Sequence, residues 1–174
     1  MQKFSKAALF LLMAIALLSF DPKPKTKVTW ISFAELEELY AKSPRPILVD
    51  LYTSWCGWCK EMDRTTYSNE KVATYINEHY YAVKYNAESR DSVRFNKIKY
   101  GFNKAAATND LALYLSAGER SYPNSIFLSD PSSQPAALSG YMKAKEMEAP
   151  LRYFVEKRSN ETFVEFSKGM KSIW

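Results

Sequence analysis

After an apolar run, Ile47-Leu-Val-Asp-Leu-Tyr52, the chain carries Trp55-Cys56-Gly57-Trp58-Cys59-Lys60. A short apolar run that follows Pro44 and Pro46 is the pattern of a strand buried in the middle of a sheet. The cysteine segment then opens a helix predicted to run to about Thr65. Cysteines at i and i+3 of one helical turn lie within disulfide reach, so their bond can form and break without moving the backbone. The first sits at the helix N-terminus, where free N–H groups and the dipole favour a thiolate. The second, inside the helix, can attack a mixed disulfide formed by the first. Two structural readings stand beside this one. As a staple the pair closes a loop of only four residues, where loop-entropy stabilisation is smallest. As a metal site it needs further ligands, of which Met62 and His79 are the nearest by sequence.

The remaining chain provides one domain around this junction. Its 174 residues, 47% of them hydrophobic, are enough for a single core and short of what two domains need. Two cysteines exclude a disulfide-stapled miniature fold, and the apolar content excludes a disordered chain. Five glycines predict regular elements with few positions at positive φ. The formal charge of +5 falls to +3 without Lys3 and Lys6, and no long basic run remains, which excludes nucleic acid as a partner.

Residues 28–31 read as a first short strand, and Ser32 caps a helix over 33–42 with Phe33, Leu36, Leu39 and Tyr40 on one face. A helix over 68–78 precedes an alternating strand over 80–86; residues 91–100 read as a helix ended by Gly101. Asn109 caps a short helix, DLALYLS, that Gly118 closes. Residues 126–129 and 136–140 pair as a hairpin across Asp130-Pro131, and helices over 143–158 and 162–171 end the chain. Strands separated by helices, then a hairpin, predict an α/β fold with a central mixed sheet flanked by helices.

Residues 1–6 contain Lys3 and Lys6, and residues 7–18 are apolar without a charge. That is the pattern of a signal peptide over 1–20, and the run is shorter than the ~20 residues of a membrane-spanning helix. An Ala-x-Ala cleavage pattern is missing, so an uncleaved membrane anchor is the other reading. Residues 21–27, DPKPKTK, read as a charged linker before the domain at 28–174. The domain is therefore expected to be exported, to the periplasm or cell envelope, where disulfide chemistry is permitted.

VDLYTSWCGWCK resembles the active-site segment of thioredoxins, and the similarity extends over most of residues 28–158. Asp50 stands where thioredoxins carry a buried acid, and Lys84 in VKYN matches the strand lysine that approaches it. Pro123, before SIFL, matches their cis-proline facing the cysteines, with Gly140 at the end of the next strand. A carboxylate inside ILVDLY is expensive to bury unless paired or protonated, so its pKa should be raised, and it can take the proton of Cys59. Plain alternatives are a register that turns Asp50 to solvent and an ordinary edge-strand lysine at Lys84. Trp55 reads first as a core residue, whereas Trp58, in the turn between the cysteines, suits recognition of extended polypeptide. His79 reads as a surface residue.

Departures from thioredoxins are Gly57-Trp58 in place of Gly-Pro, Tyr122 before the proline, Asn124 after it, a helical insertion at 103–118 and a C-terminal helical extension at 159–174. Insertion, extension and N-terminal segment together resemble the envelope thioredoxin-like proteins of bacteria. The resemblance implies a thioredoxin-like fold and a thiol–disulfide oxidoreductase. Cys56 would attack and Cys59 resolve; Asp50, with Lys84, would manage the proton. Trp55, Gly57, Trp58, Tyr122, Pro123 and Gly140 would shape a substrate groove, with the backbone of Tyr122 pairing with a client strand. It implies no bound cofactor beyond the Cys56–Cys59 disulfide. The implied partners are protein thiols and disulfides and a membrane-embedded electron donor, and the implied state is a monomer. The rival class is a binding module that holds a protein partner or metal, with the disulfide as decoration.

Overall fold

The computed structural model describes residues 27–174, so the segment read as a signal peptide and all of the linker but Lys27 lie outside the described residues. Strands β1 (Trp30–Ile31), β2 (Ile47–Tyr52) and β3 (Tyr81–Asn86) are parallel. Strands β8 (Asn124–Leu128) and β9 (Ala136–Ser139) complete the central sheet, β8 antiparallel to β2 and β9 antiparallel to β8. The order across the sheet is β1-β3-β2-β8-β9. The predicted mixed sheet and its C-terminal hairpin are thus present, with β2 buried in the middle.

Alternation along β2 sends Ile47, Val49 and Leu51 to one face, and Leu48 to the other. On the first face pack helices α1 (Phe33–Lys42) and α4 (Asp110–Leu115), through Phe33, Leu36, Leu111 and Leu115. On the second pack α2 (Gly57–Thr65), α3 (Glu70–His79) and α5 (Ala144–Glu156), through Met62, Val72, Ile76, Met147 and Leu151. Asp50 has the parity of Leu48 and therefore lies beneath α2. Ser32 caps α1 in a capping box with Glu35, as its Ser-x-x-Glu spacing predicts. The C-terminal extension forms α6 (Phe163–Gly169), and Glu148, 1% exposed, holds the tail after it by accepting from the Ser172 hydroxyl and the Ile173 N–H. No helix among the described residues is long and apolar enough to cross a membrane.

Two expectations fail. Residues 91–100 are not a helix but a hairpin, β4 (Val93–Phe95) against β5 (Ile98–Tyr100). Val93 and Phe95 turn to the α1 core at period two, and Asn96-Lys97 both adopt positive φ, 48° and 65°, the requirement of a tight two-residue turn. Gly101 consequently ends no helix. Nor did scarce glycine mean few left-handed positions: Asn96, Lys97, Ala107, Ala117 and Asn160 all have positive φ. Ala117 takes that position after α4, just ahead of Gly118, where a glycine is the usual occupant.

The 103–118 insertion is only partly helical. It completes a small hairpin, β6 (Phe102–Asn103) with β7 (Thr108–Asn109), before α4 begins. Asn109 is fully buried; its Oδ1 caps α4 at the Leu111 N–H, and its Nδ2 donates to the Ser89 and Asp91 carbonyls at 3.1 Å. Asn109→Ala removes the cap and leaves two carbonyls unpaired, an expected loss of about 2 kcal/mol by urea unfolding.

Candidate active site

Leaving β2, the chain turns through Thr53, whose carbonyl accepts the Cys56 N–H at 3.2 Å, and enters α2 with Cys56 as its N-cap. The Cys56 Sγ accepts the Cys59 N–H at 3.0 Å, so the sulfur caps the helix in place of a hydroxyl or carboxylate. Cys56 and Cys59 are joined as a disulfide and are 4% and 3% exposed. The Tyr122–Pro123 peptide is cis, and the Pro123 carbonyl accepts the Gly140 N–H at 2.8 Å, tying the proline loop to the end of β9. Gly140 has φ +101°, a conformation that side-chain-bearing residues rarely adopt.

The disulfide is flanked by exposed aromatics. Trp58 is 63% exposed and lies 5.4 Å from Tyr141 between ring centroids. Trp55 is 66% exposed, which corrects the core reading: Cys56 takes the buried place beyond the end of β2, and the indole before it is turned outward. The Trp55 indole donates to Glu88 at 2.9 Å and meets Tyr122 edge-on at 6.2 Å. Gly57 has open space where a Cβ would point.

Beneath α2 lies the acid. Asp50 is 1% exposed, so the solvent-facing alternative is excluded, and Lys84 is its direct neighbour across the β2–β3 ladder. β3 is second in the sheet, so Lys84 is not an ordinary edge lysine. Its ammonium donates to Asp50 Oδ2 at 2.8 Å and also to Asp63, and it sits 5.2 Å from the Trp30 ring and 5.1 Å from that of Tyr52. Asp50 Oδ1 is buried without a partner. Burial pushes the Asp50 carboxyl up to about 6, against the pull of the Lys84 charge. Burial also works to lower Lys84, but the two carboxylates outweigh it and its ammonium is held more firmly than usual. Both shifts favour keeping a proton on the pair.

A family model described as Thioredox_DsbH, protein of unknown function DUF255, matches residues 21–164. The chain belongs to the Thioredox_DsbH family. A solved structure titled DsbH Oxidoreductase superposes with a TM-score of 0.55 at 16% identity, over 82% of this chain and 94% of that one. The likeness is one of fold, and with it the thioredoxin-like architecture stands. The thiol:disulfide interchange protein DsbD of Pectobacterium atrosepticum is 40% identical over 45 residues, 26% of this chain and 8% of that protein. The thioredoxin-like protein slr0233 of Synechocystis is 33% identical over 61 residues, 35% of this chain and 55% of that protein. The chain thus spans about half or less of these two curated relatives.

In this Thioredox_DsbH chain the structure brings together Asp50 with Lys84, Trp55 with Tyr122, and Pro123 with Gly140, all named from sequence. It adds Asp63, Glu88 and Tyr141. Asp63 had a readable signal, since it follows Cys59 by four residues and so shares its helix face. Glu88 and Tyr141 had none, because their contacts come from loops. Of the residues weighed as metal ligands, Met62 is fully buried in the core and His79 packs on Tyr75 at the end of α3.

Proposed function

We propose that the protein is an exported thiol–disulfide oxidoreductase that reduces disulfides in protein clients. The observation that carries this reading is the buried Asp50–Lys84 pair beneath the cysteine helix. A carboxyl held near 6 can receive the proton of Cys59 as that thiol attacks a mixed disulfide, and return it to solvent through the half-exposed Asp63–Lys84 bridge. A purely structural staple has no use for an ionisable group placed there at the expense of burial.

Charge favours the reducing direction. Asp50, Asp63 and Lys84 sum to one negative charge when ionised, which opposes a further thiolate on the adjoining cysteines. Strong oxidants work the other way, by stabilising the reduced form. The local likeness to a thiol:disulfide interchange protein supports thiol–disulfide exchange in either direction, and the charged-then-apolar pattern of residues 1–18 supports export. Within it Cys56 is the nucleophile and Cys59 the resolving thiol. Trp58, Tyr122, Pro123 and Gly140 border the client groove, and a membrane-embedded donor restores the dithiol.

Titrating the pair in dithiol redox buffers, read by mass after alkylation, tests this. A midpoint near −270 mV is expected for a reductant, against roughly −120 to −180 mV for an oxidant or isomerase. A pair that does not cycle leaves a binding module.

A further inference from the structure

Beside the disulfide opens a pocket of about 290 Å³, lined by Trp55, Glu88, Ala106, Ala107, Thr108, Arg120 and Tyr122. That volume is at the lower edge of small-ligand sites. Its two aromatic walls are the residues immediately before Cys56 and immediately before Pro123. Its floor belongs to the insertion: the Thr108 hydroxyl and the Asn109 N–H both donate to the Ala87 carbonyl at 2.7 Å, next to Glu88.

Two opposite charges face this space, each anchored by a neutral group and not by the other. Glu88 Oε1 takes the Trp55 indole N–H, which leaves Oε2 free to accept. Arg120 gives one N–H to the Ala106 carbonyl at 2.9 Å, and the rest of its donor fork is unused. A carboxylate and a guanidinium held in place but unpaired, with aromatic walls between, match a ligand carrying both charges. A neutral amide would leave both ends with weaker, uncharged partners.

We propose that this pocket is a subsite for a small zwitterionic disulfide of the cystine type, Arg120 taking the α-carboxylate and Glu88 the α-ammonium. The inference rests on the oxidoreductase reading above and adds a substrate class to it. Starting from the dithiol, the Cys56 thiolate attacks one cystine sulfur. A Cys56–cysteine disulfide forms and one cysteine thiolate leaves. Cys59 then loses its proton and attacks the Cys56 sulfur, releasing the second cysteine. Cystine gains two electrons, the protein pair loses two and closes as the disulfide, and the Cys59 proton ends on a departing thiolate. A dithiol reductant restores the starting form.

The test compares four disulfides on the pre-reduced full chain: cystine, cationic cystamine, anionic dithiodipropionate and neutral bis(hydroxyethyl) disulfide. Each rate is divided by that of the same disulfide with dithiothreitol, which removes differences in leaving group. Cystine is expected to exceed the neutral disulfide, and Arg120→Ala to lower that ratio about tenfold, the worth of one charge-assisted contact at 1.4 kcal/mol per decade. Glu88→Gln keeps an acceptor for Trp55 but removes the charge; it should lower the cystine ratio and raise that of dithiodipropionate. Equal ratios in wild type and both variants overturn the subsite while leaving the oxidoreductase intact. Failure of wild type to exchange any of the four overturns the oxidoreductase reading itself.

Discussion

A Cys59→Ser variant is expected to accumulate covalent adducts with disulfide-bearing clients through Cys56, while Cys56→Ser forms none and its exchange falls to the background of the reductant alone. Exposure does not assign the roles, since the two sulfurs are 4% and 3% exposed in the oxidised form. The helix terminus does. Cys56 is the N-cap of α2, and its sulfur already receives the Cys59 N–H at 3.0 Å, so a thiolate there inherits a charge-assisted hydrogen bond and the positive end of the dipole. Cys59 lies inside the first turn, on the side of Asp50 and Asp63, where a negative sulfur is opposed. Its task is to attack late and hand over a proton. With a serine hydroxyl in place of the Cys59 thiol that second attack has no sulfur, and the mixed disulfide persists. Non-reducing gels of the two variants with a denatured disulfide protein, and peptide mass mapping of the adducts, check the assignment. Adducts confined to Cys56→Ser reverse it.

The parts of this site legible beforehand are those whose cause is local in the chain. A short apolar run that follows two prolines gives β2, and cysteines spaced three apart beyond its end give the helix start; each acts over a few residues. Asp50 was legible because a single carboxylate in such a run has few places to go. Lys84 needed the resemblance, since nothing within β3 says which strand lies beside it. The hairpin at 93–100 was misread as a helix ended by Gly101, and the deciding feature is two adjacent positive-φ residues, neither a glycine. Trp55 was misread because a large apolar residue beside a buried strand is normally core. Here the chain has already left the sheet, and the indole is held by Glu88, a residue of another loop. The pocket at Arg120 was illegible for the same reason: its walls come from loops distant in the chain and its floor from an insertion.

Asp50→Asn is expected to stabilise the oxidised protein at pH 7 by about 2 kcal/mol, and to make that gain depend on pH. A carboxyl raised from 3.8 to about 6 binds a proton more tightly folded than unfolded. Its contribution is therefore fully present below about 3.8, and is lost as pH rises through about 6. At 1.36 kcal/mol per unit the shift corresponds to about 3 kcal/mol above pH 7. The amide returns part of this, because its Nδ2 would lie where Oδ1 is now buried without a partner. Lys84 is not orphaned by the change, since Asp63 still holds its ammonium. Urea unfolding with the disulfide intact should show the variant and wild type close together at pH 4, the gap widening to pH 6 and level beyond it. A gap that is constant with pH would mean that Asp50 does not titrate in this range. The same substitution should slow the resolving step, since Asn cannot accept the Cys59 proton, and wild-type release of mixed disulfide should lose its inflection near pH 6 in the variant. Gain in stability and loss in turnover from one atom's exchange is the signature of a group kept for chemistry; a carboxyl retained only for packing would give the same pH slope, which its burial sets, and leave the release rate unchanged.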